Sequence, residues 1–312
     1  MTAFPGAALS IVSPVYGNAD TLESLTRQLF EYAEPLFGSV EIIFVNDGSP
    51  DDSQAVLAGL AREDPRVRVV RLVRNFGQHV AVLAGLRRGR GDYVLLIDAD
   101  LEDPPSAIPA LAAKLAEGYE VAVGVRPPRR LRGLRGLLSA AYIRLFNWLS
   151  DYPILENATT MRLMTRRYAD YLTRFEERPF IAGMSAWIGL PIGEVPVEVP
   201  GERQASGYTM RQLLRHARIG LLGFSTKPLR LASVAGVLLC FGSIAYAVAI
   251  LAGRLLFGGI APGFTTVVVL FTFLLGMQFV VLGVIGEYLS ETFLATRRRP
   301  EHLVYDTLNL ED

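Results

Sequence analysis

Lysine is nearly absent from this chain: Lys114 and Lys227 are the only two, and every other basic residue among the 31 is arginine. Cysteine is rarer still. Cys240 stands alone, which excludes an intrachain disulfide and a cysteine-built metal site. The three histidines, His79, His216 and His302, have no metal-ligand spacing to one another. Net charge is also missing, since 31 basic residues face 31 acidic ones. That removes the bulk electrostatic case for nucleic acid. There is no G-x-G-x-x-G, so a dinucleotide phosphate loop is disfavoured, and no G-K-[ST], so a P-loop is disfavoured too. Residues 1–6 lack a basic segment leading into an apolar core, so no secretory signal is read and the first domain is expected in the cytosol. No internal repeat or low-complexity segment is visible.

What is present begins with an apolar run, Tyr93-Val94-Leu95-Leu96-Ile97, followed by Asp98-Ala99-Asp100-Leu101-Glu102-Asp103-Pro104-Pro105. The run reads as a buried parallel strand, and the prolines forbid its continuation. Acids at the carboxyl end of a central strand lie where open α/β sheets bind ligands. In extended backbone Asp98 and Asp100 share a face. Two hard oxygen ligands so placed suit Mg²⁺ or Mn²⁺, with a diphosphate completing the shell. The same acids also suit a solvated turn; the strand before them favours the metal.

Around this stretch, strands alternate with helices. Strands are expected at 9–16, 40–45, 67–72 and 119–125. Helices are expected after Asp20 (an N-cap, with Glu23 at the capping-box spacing), at 53–62, 79–87 and 108–117. This is the pattern of a doubly wound, mostly parallel α/β sheet. Its strand ends carry Pro14 to Tyr16, Asn46-Asp47, Asn75 and Asp98 to Asp100, which such a sheet gathers along one edge. Pro14, Tyr16, Asp47, Asn75, Asp98 and Ala99 are the expected nucleotide-binding set. Asp47 suits either a base or ribose acceptor or an Asx-turn before Gly48.

After Arg126 the composition changes. Residues 131–150 and 209–225 interleave arginines with large apolar residues. They suit helices lying in a membrane interface, or helices packed on the sheet. Residues 231–253 and 255–286 are uncharged, each longer than the roughly 20 residues that cross a bilayer, with Pro262-Gly263 marking a hairpin turn. Spans are expected at about 231–253 and 264–286. Positive charge before the first and after the second puts both ends in the cytoplasm. Small residues such as Gly236, Gly242, Gly276 and Gly283 permit a homo-oligomer. The expected division is 1–130 for a ligand-binding α/β core, 131–226 for a region with interfacial helices, 227–296 for a transmembrane hairpin and 297–312 for a cytoplasmic tail.

Several stretches together resemble a known family. Ser13-Pro14-Val15-Tyr16-Gly17-Asn18, Val45-Asn46-Asp47-Gly48-Ser49, Arg74-Asn75-Phe76-Gly77-Gln78, residues 98–105 and Phe224-Ser225-Thr226-Lys227-Pro228-Leu229-Arg230 occur in this order. The chain resembles family-2 glycosyltransferases of the GT-A fold, in particular polyprenyl-phosphate glycosyltransferases related to dolichol-phosphate mannose synthase. The resemblance implies nucleotide contacts at Pro14, Tyr16 and Asp47 and metal ligands at Asp98, Asp100 and Glu102. It implies phosphate-holding arginines at Arg126 and Arg203, with Arg129, Arg130 and Arg132 as alternatives. Two departures stand out. Relatives carry Gly-Asp-Phe-Arg-Leu or Gly-Ser-Phe-Arg-Leu where this chain has Thr159-Thr160-Met161-Arg162-Leu163, so the acid sometimes assigned as base is missing and Glu156 is the nearest one. The late Arg-x-x-Gly-x-Ser-x-Tyr loop is shortened to Arg203-Gln204-Ala205-Ser206-Gly207-Tyr208.

The expected activity is inverting, metal-dependent transfer of a sugar from a nucleotide-sugar, UDP-linked, to a polyprenyl phosphate on the cytoplasmic leaflet of the inner membrane. Asp100, Arg126, Arg203 and Glu156 are the expected catalytic residues. The arginine bias points to a GC-rich bacterium and hence to undecaprenyl phosphate. One rival is a family-2 transferase acting on a hydroxyl of a glycolipid or polysaccharide, which needs a general base. The other is a non-catalytic nucleotide-sugar-binding membrane scaffold.

Overall fold

A computed structural model of the protein describes residues 4–127, 157–175, 180–197, 225–257, 263–296 and 300–310, with Trp148, Tyr152 and Leu155. The interfacial segments expected at 131–150 and 209–225 lie outside these residues, Trp148 and Ser225 apart.

The described elements form two compact units. The first is built on β1 (Phe4–Val15), α1 (Leu22–Ala33), β2 (Phe37–Asn46), α2 (Ser53–Glu63), β3 (Val67–Leu72), α3 (Gln78–Leu86) and β4 (Tyr93–Leu96). It continues through α4 (Ile108–Ala116), β5 (Val121–Val125), β6 (Ala158–Thr165), α5 (Arg166–Thr173), α6 (Ile181–Ile188) and β7 (Ile192–Pro196). The second contains α7 (Lys227–Phe257) and α8 (Phe264–Thr296), after which the chain re-enters the first unit as β8 (Val304–Leu308).

The strands make one sheet in the order β7-β5-β6-β4-β1-β2-β3-β8. The neighbours β4, β1, β2 and β3 run parallel, as do β5 and β7. Their runs of Val, Ile and Leu are buried on both faces, as parallel strands covered by helices require. β6 and β8 run antiparallel to their neighbours. The chain lays β2 and β3 on one side of β1 and then crosses to place β4 on the other. The order therefore reverses between β1 and β4, and ligands bind at such reversals.

Two local expectations change. Asp20 does not cap α1; Thr21 occupies the N-cap, with no side-chain capping bond. Its hydroxyl instead donates to the carbonyls of Ala99 (2.6 Å) and Asn18 (3.0 Å), tying the start of α1 to the acidic turn. β4 ends at Leu96, so Asp98 and Asp100 lie in a turn rather than in extended strand. Leu101 has φ 58°, a left-handed conformation unusual for a branched side chain, and Asp100 Oδ1 accepts the Glu102 N–H at 2.9 Å.

In the second unit, the Ser225 hydroxyl accepts the Lys227 N–H (3.1 Å) at the start of α7, and the Tyr288 hydroxyl of α8 donates to the Ser225 carbonyl (2.7 Å). Leu229–Tyr246 and Phe273–Ser290 are long and apolar enough to cross a membrane. Large apolar side chains such as Leu238, Phe241, Phe271 and Phe279 are two-thirds exposed.

Candidate active site

The carboxyl ends of β1, β2 and β4 and the loop after β3 enclose a cleft of about 300 Å³. Pro14, Tyr16, Asp47, Asn75, Asp98, Ala99 and Asp100 line it, together with Val15, Asn18 and Gln78. The structure thus brings together the whole expected nucleotide-binding set. Tyr16 is half exposed, so its ring presents a free face.

Asp47 is buried at the end of β2, and its two oxygens accept the Phe76 and Gly77 N–H groups at 2.7 and 2.8 Å. It pins the 74–78 loop. The Asx-type contact is made by its neighbour: Asn46 Oδ1 accepts the Ser49 N–H at 2.9 Å. Burial raises the Asp47 pKa, and the two N–H bonds only partly offset this. Gly48 lets the loop approach. Its φ is 67°, and a Cβ there would sit 2.7 Å from the backbone of Arg74 and Asn75.

Asp98 carries the largest perturbation in the cleft. Burial pushes it up to about 6, with the charges of Asp100 and Asp103 adding to the effect. Hydrogen bonds from Thr160 and Gln78 act in the opposite direction; the Gln78 amide lies 2.7 Å from Asp98 Oδ1. Asp100 is raised as well, by burial and by Glu102 and Asp103. Partial burial and neighbouring carboxylates disfavour both acids as anions, a condition that a divalent cation relieves.

The other expected residues are placed differently. Glu102 is half exposed, is absent from the cleft lining and pairs with Arg126 at 3.2 Å. Arg126 donates its second terminal nitrogen to Asp103 at 2.6 Å. Asp103 is 2 % exposed and also accepts the Met161 N–H at 3.2 Å, so this pair locks β6 to the acidic turn. Arg126 is therefore engaged by acids and does not line the cleft. Arg203 and Glu156 lie outside the described residues. Among the described residues no three His, Cys, Asp or Glu side chains converge as a metal-holding set. Gln78 and Asp103 gain roles that residue type alone did not mark, although both belong to motifs singled out above.

A mixed sheet with a carboxylate-edged cleft at the β1/β4 reversal is the architecture of GT-A glycosyltransferases. The pattern of Glycosyl transferase family 2 matches residues 10–176, and the chain belongs to that family; it is a glycosyltransferase. It is 32% identical to an uncharacterized glycosyltransferase of Bacillus subtilis over 97% of this chain and 95% of that one. It is also 32% identical to a bactoprenol glucosyl transferase of Shigella phage SfX, over 95% of this chain and 98% of the relative. Among solved structures, glucosyl-3-phosphoglycerate synthase from Mycobacterium tuberculosis, in complex with Mn²⁺, UDP and glucosyl-3-phosphoglycerate, shares the fold. Its TM-score is 0.51 at 22% identity, covering 70% of this chain and 80% of that one.

Proposed function

We propose that this glycosyltransferase moves a sugar from a UDP-sugar to a polyprenyl phosphate, undecaprenyl phosphate in a bacterium, with inversion at the anomeric carbon. The observation that carries the reading is the cleft in which Asp98 and Asp100 face Tyr16 and Asp47. Near-full-length likeness to bactoprenol glucosyl transferases supports the acceptor class.

In this reading Tyr16 offers a stacking face to the base, and Asp47 holds the 74–78 loop against the nucleotide. Asp98 and Asp100 would hold Mg²⁺ or Mn²⁺, with Glu102 within the same turn. Bound there, the cation would supply positive charge against the diphosphate. The acceptor needs little proton removal, because a lipid monophosphate has its second pKa near ~6 and is largely anionic at neutral pH. Its oxygen attacks the anomeric carbon in line. The new C–O bond forms as the bond to the diphosphate breaks, and the nucleoside diphosphate leaves with the electron pair. Thr160 in place of an acid is compatible with that chemistry and disfavours a hydroxyl acceptor, which would need a base. Arg203 remains the proposed phosphate-holding arginine and Glu156 the acid nearest the missing base, while Arg126, paired with Asp103 and Glu102, is read as holding the acidic turn.

The two apolar helices are read as bilayer spans. At 1.5 Å per residue each is about 45–50 Å long, more than the roughly 30 Å hydrocarbon core. The pairing of β8 with β3 after α8 supports two crossings over one. Lys227 and Arg230 in the first turn of α7 and Arg297 to Arg299 after α8 favour the cytoplasmic side.

Membranes carrying the protein, given labelled UDP-sugars, Mn²⁺ and undecaprenyl phosphate, test the proposal. Mild-acid-labile, lipid-linked sugar is the expected product. Label found only on hydroxyl-bearing lipids, or binding without transfer, contradicts it.

A further inference from the structure

Arg162 is a buried cation that, among the described residues, touches no carboxylate. It lies within β6, is 5 % exposed, and its partners among those residues are neutral acceptors. Nε reaches the Thr160 carbonyl at 3.1 Å, Nη2 the Thr159 carbonyl at 3.2 Å, and Nη1 the Ser185 hydroxyl on α6 at 3.2 Å. Removing a guanidinium from water costs several kcal/mol unless opposite charge lies close. Burial accordingly depresses its pKa, and the nearby negative charges of Asp98 and Asp103 work against that. On stability alone an apolar side chain of similar volume would serve as well. The guanidinium does something such a side chain cannot. By taking the carbonyls of both Thr159 and Thr160, it fixes the two peptide planes on either side of the Thr160 Cα. The antiparallel register that sets Leu96 opposite Arg162 brings that same Thr160 beside Asp98, and its hydroxyl favours the Asp98 carboxylate.

We propose that Arg162 is a positioning residue: it holds the Thr160 hydroxyl on Asp98, and through it aims the carboxylate at the divalent cation of a bound nucleoside diphosphate. Ser185 anchors the far end of the guanidinium, so α6 becomes part of the same support. The inference rests on the metal-assisted reading above. It adds a chain of support, Ser185 to Arg162 to Thr160 to Asp98, that lies outside the cleft. Partners behind a metal ligand typically matter about 10- to 100-fold in metal affinity.

The test measures UDP binding by the full-length protein in detergent, by calorimetry, once with Mn²⁺ and once with EDTA. Thr160→Val removes the hydroxyl and keeps a branched strand residue. Arg162→Lys keeps the charge and loses the fork. With Mn²⁺, each single variant is expected to weaken UDP binding about 10-fold, and the double variant no further than Thr160→Val alone, because both act through one contact. Thr160→Ser is expected to bind as wild type does. In EDTA all variants should match wild type, which a general loosening of the fold would not produce. Should Arg162→Lys fail to fold, Ser185→Ala replaces it in the cycle, with a smaller loss in the same direction. Additive losses in the double variant, Mn²⁺-dependent binding by Thr160→Val within twofold of wild type, or equal losses in EDTA would overturn the proposal. If the binding pattern holds while no sugar reaches polyprenyl phosphate, the acceptor reading fails and the positioning role stands. Absence of Mn²⁺-dependent UDP binding by the wild type overturns both.

Discussion

Asp98, partly buried, and Asp103, fully buried, belong to one acidic stretch, yet the fold treats them oppositely. Asp103 is matched by a cation, Arg126, at 2.6 Å; Asp98 is held by the neutral Gln78 and Thr160. Removing one partner of a buried ion pair leaves an uncompensated charge, so Arg126→Met should destabilise the protein by roughly 3 kcal/mol, read as a lowered melting temperature. Asp98 runs the other way. Its pKa rises from 3.8 unfolded to about 6 folded, so between those values the folded state binds more protons. Stability of the metal-free protein is therefore greatest below pH 4 for this group and is lost as pH rises through 6. Asp98→Asn should raise the melting temperature at pH 7 by the equivalent of about 1–3 kcal/mol, and should flatten the pH dependence between 4 and 6. The same variant should lose metal-dependent UDP binding. A variant that is less stable at pH 7 than wild type would show that Asp98 is not strained as an anion.

At the scale of elements, the site depends on loops held at the ends of β1, β2 and β4. Gly48→Ala places a methyl group 2.7 Å from the 74–75 backbone, in a conformation with positive φ. It should displace the loop that Asp47 pins, weakening UDP binding more than tenfold while melting falls only by about 1–2 kcal/mol; calorimetry and thermal melting read the two separately. The parallel strands were legible because each is a branched apolar run closed by polar residues or proline, a pattern that local chemistry dictates. Tyr16, Asp47 and Asp98 were legible for the same reason, since strand ends of a parallel sheet converge. The antiparallel insertion of β6 between β4 and β5 was not legible, because only pairing between distant segments sets that order. Nor was the cap at Thr21 in place of Asp20, since it depends on the Ala99 carbonyl 78 residues away. The sharp turn at Leu101 likewise follows from a left-handed residue that its side chain does not announce. Glu102 and Arg126 showed the right types for a ligand site, but their pairing with each other and with Asp103 is a tertiary fact.

For the molecule as a whole, β8 closes the sheet's β3 edge only after the chain has passed through both apolar helices. An uncovered strand edge invites pairing with other chains, so truncation after residue 299 should promote aggregation in detergent, seen by size-exclusion chromatography, without altering the length or composition of the apolar pair. An unchanged elution profile would show that the edge is protected in another way. The account turns on the acid pair in the cleft acting with a divalent cation to transfer sugar to a lipid phosphate. The most direct measurement is transfer of label from UDP-sugar to undecaprenyl phosphate by reconstituted protein, comparing wild type with Asp98→Ala/Asp100→Ala in Mn²⁺ and in EDTA. The account predicts transfer by wild type in Mn²⁺ alone and at least a thousandfold slower transfer, on the order of the loss of one strong electrostatic stabiliser, in EDTA or in the double variant. Transfer at the wild-type rate by the double variant under chelation would contradict it.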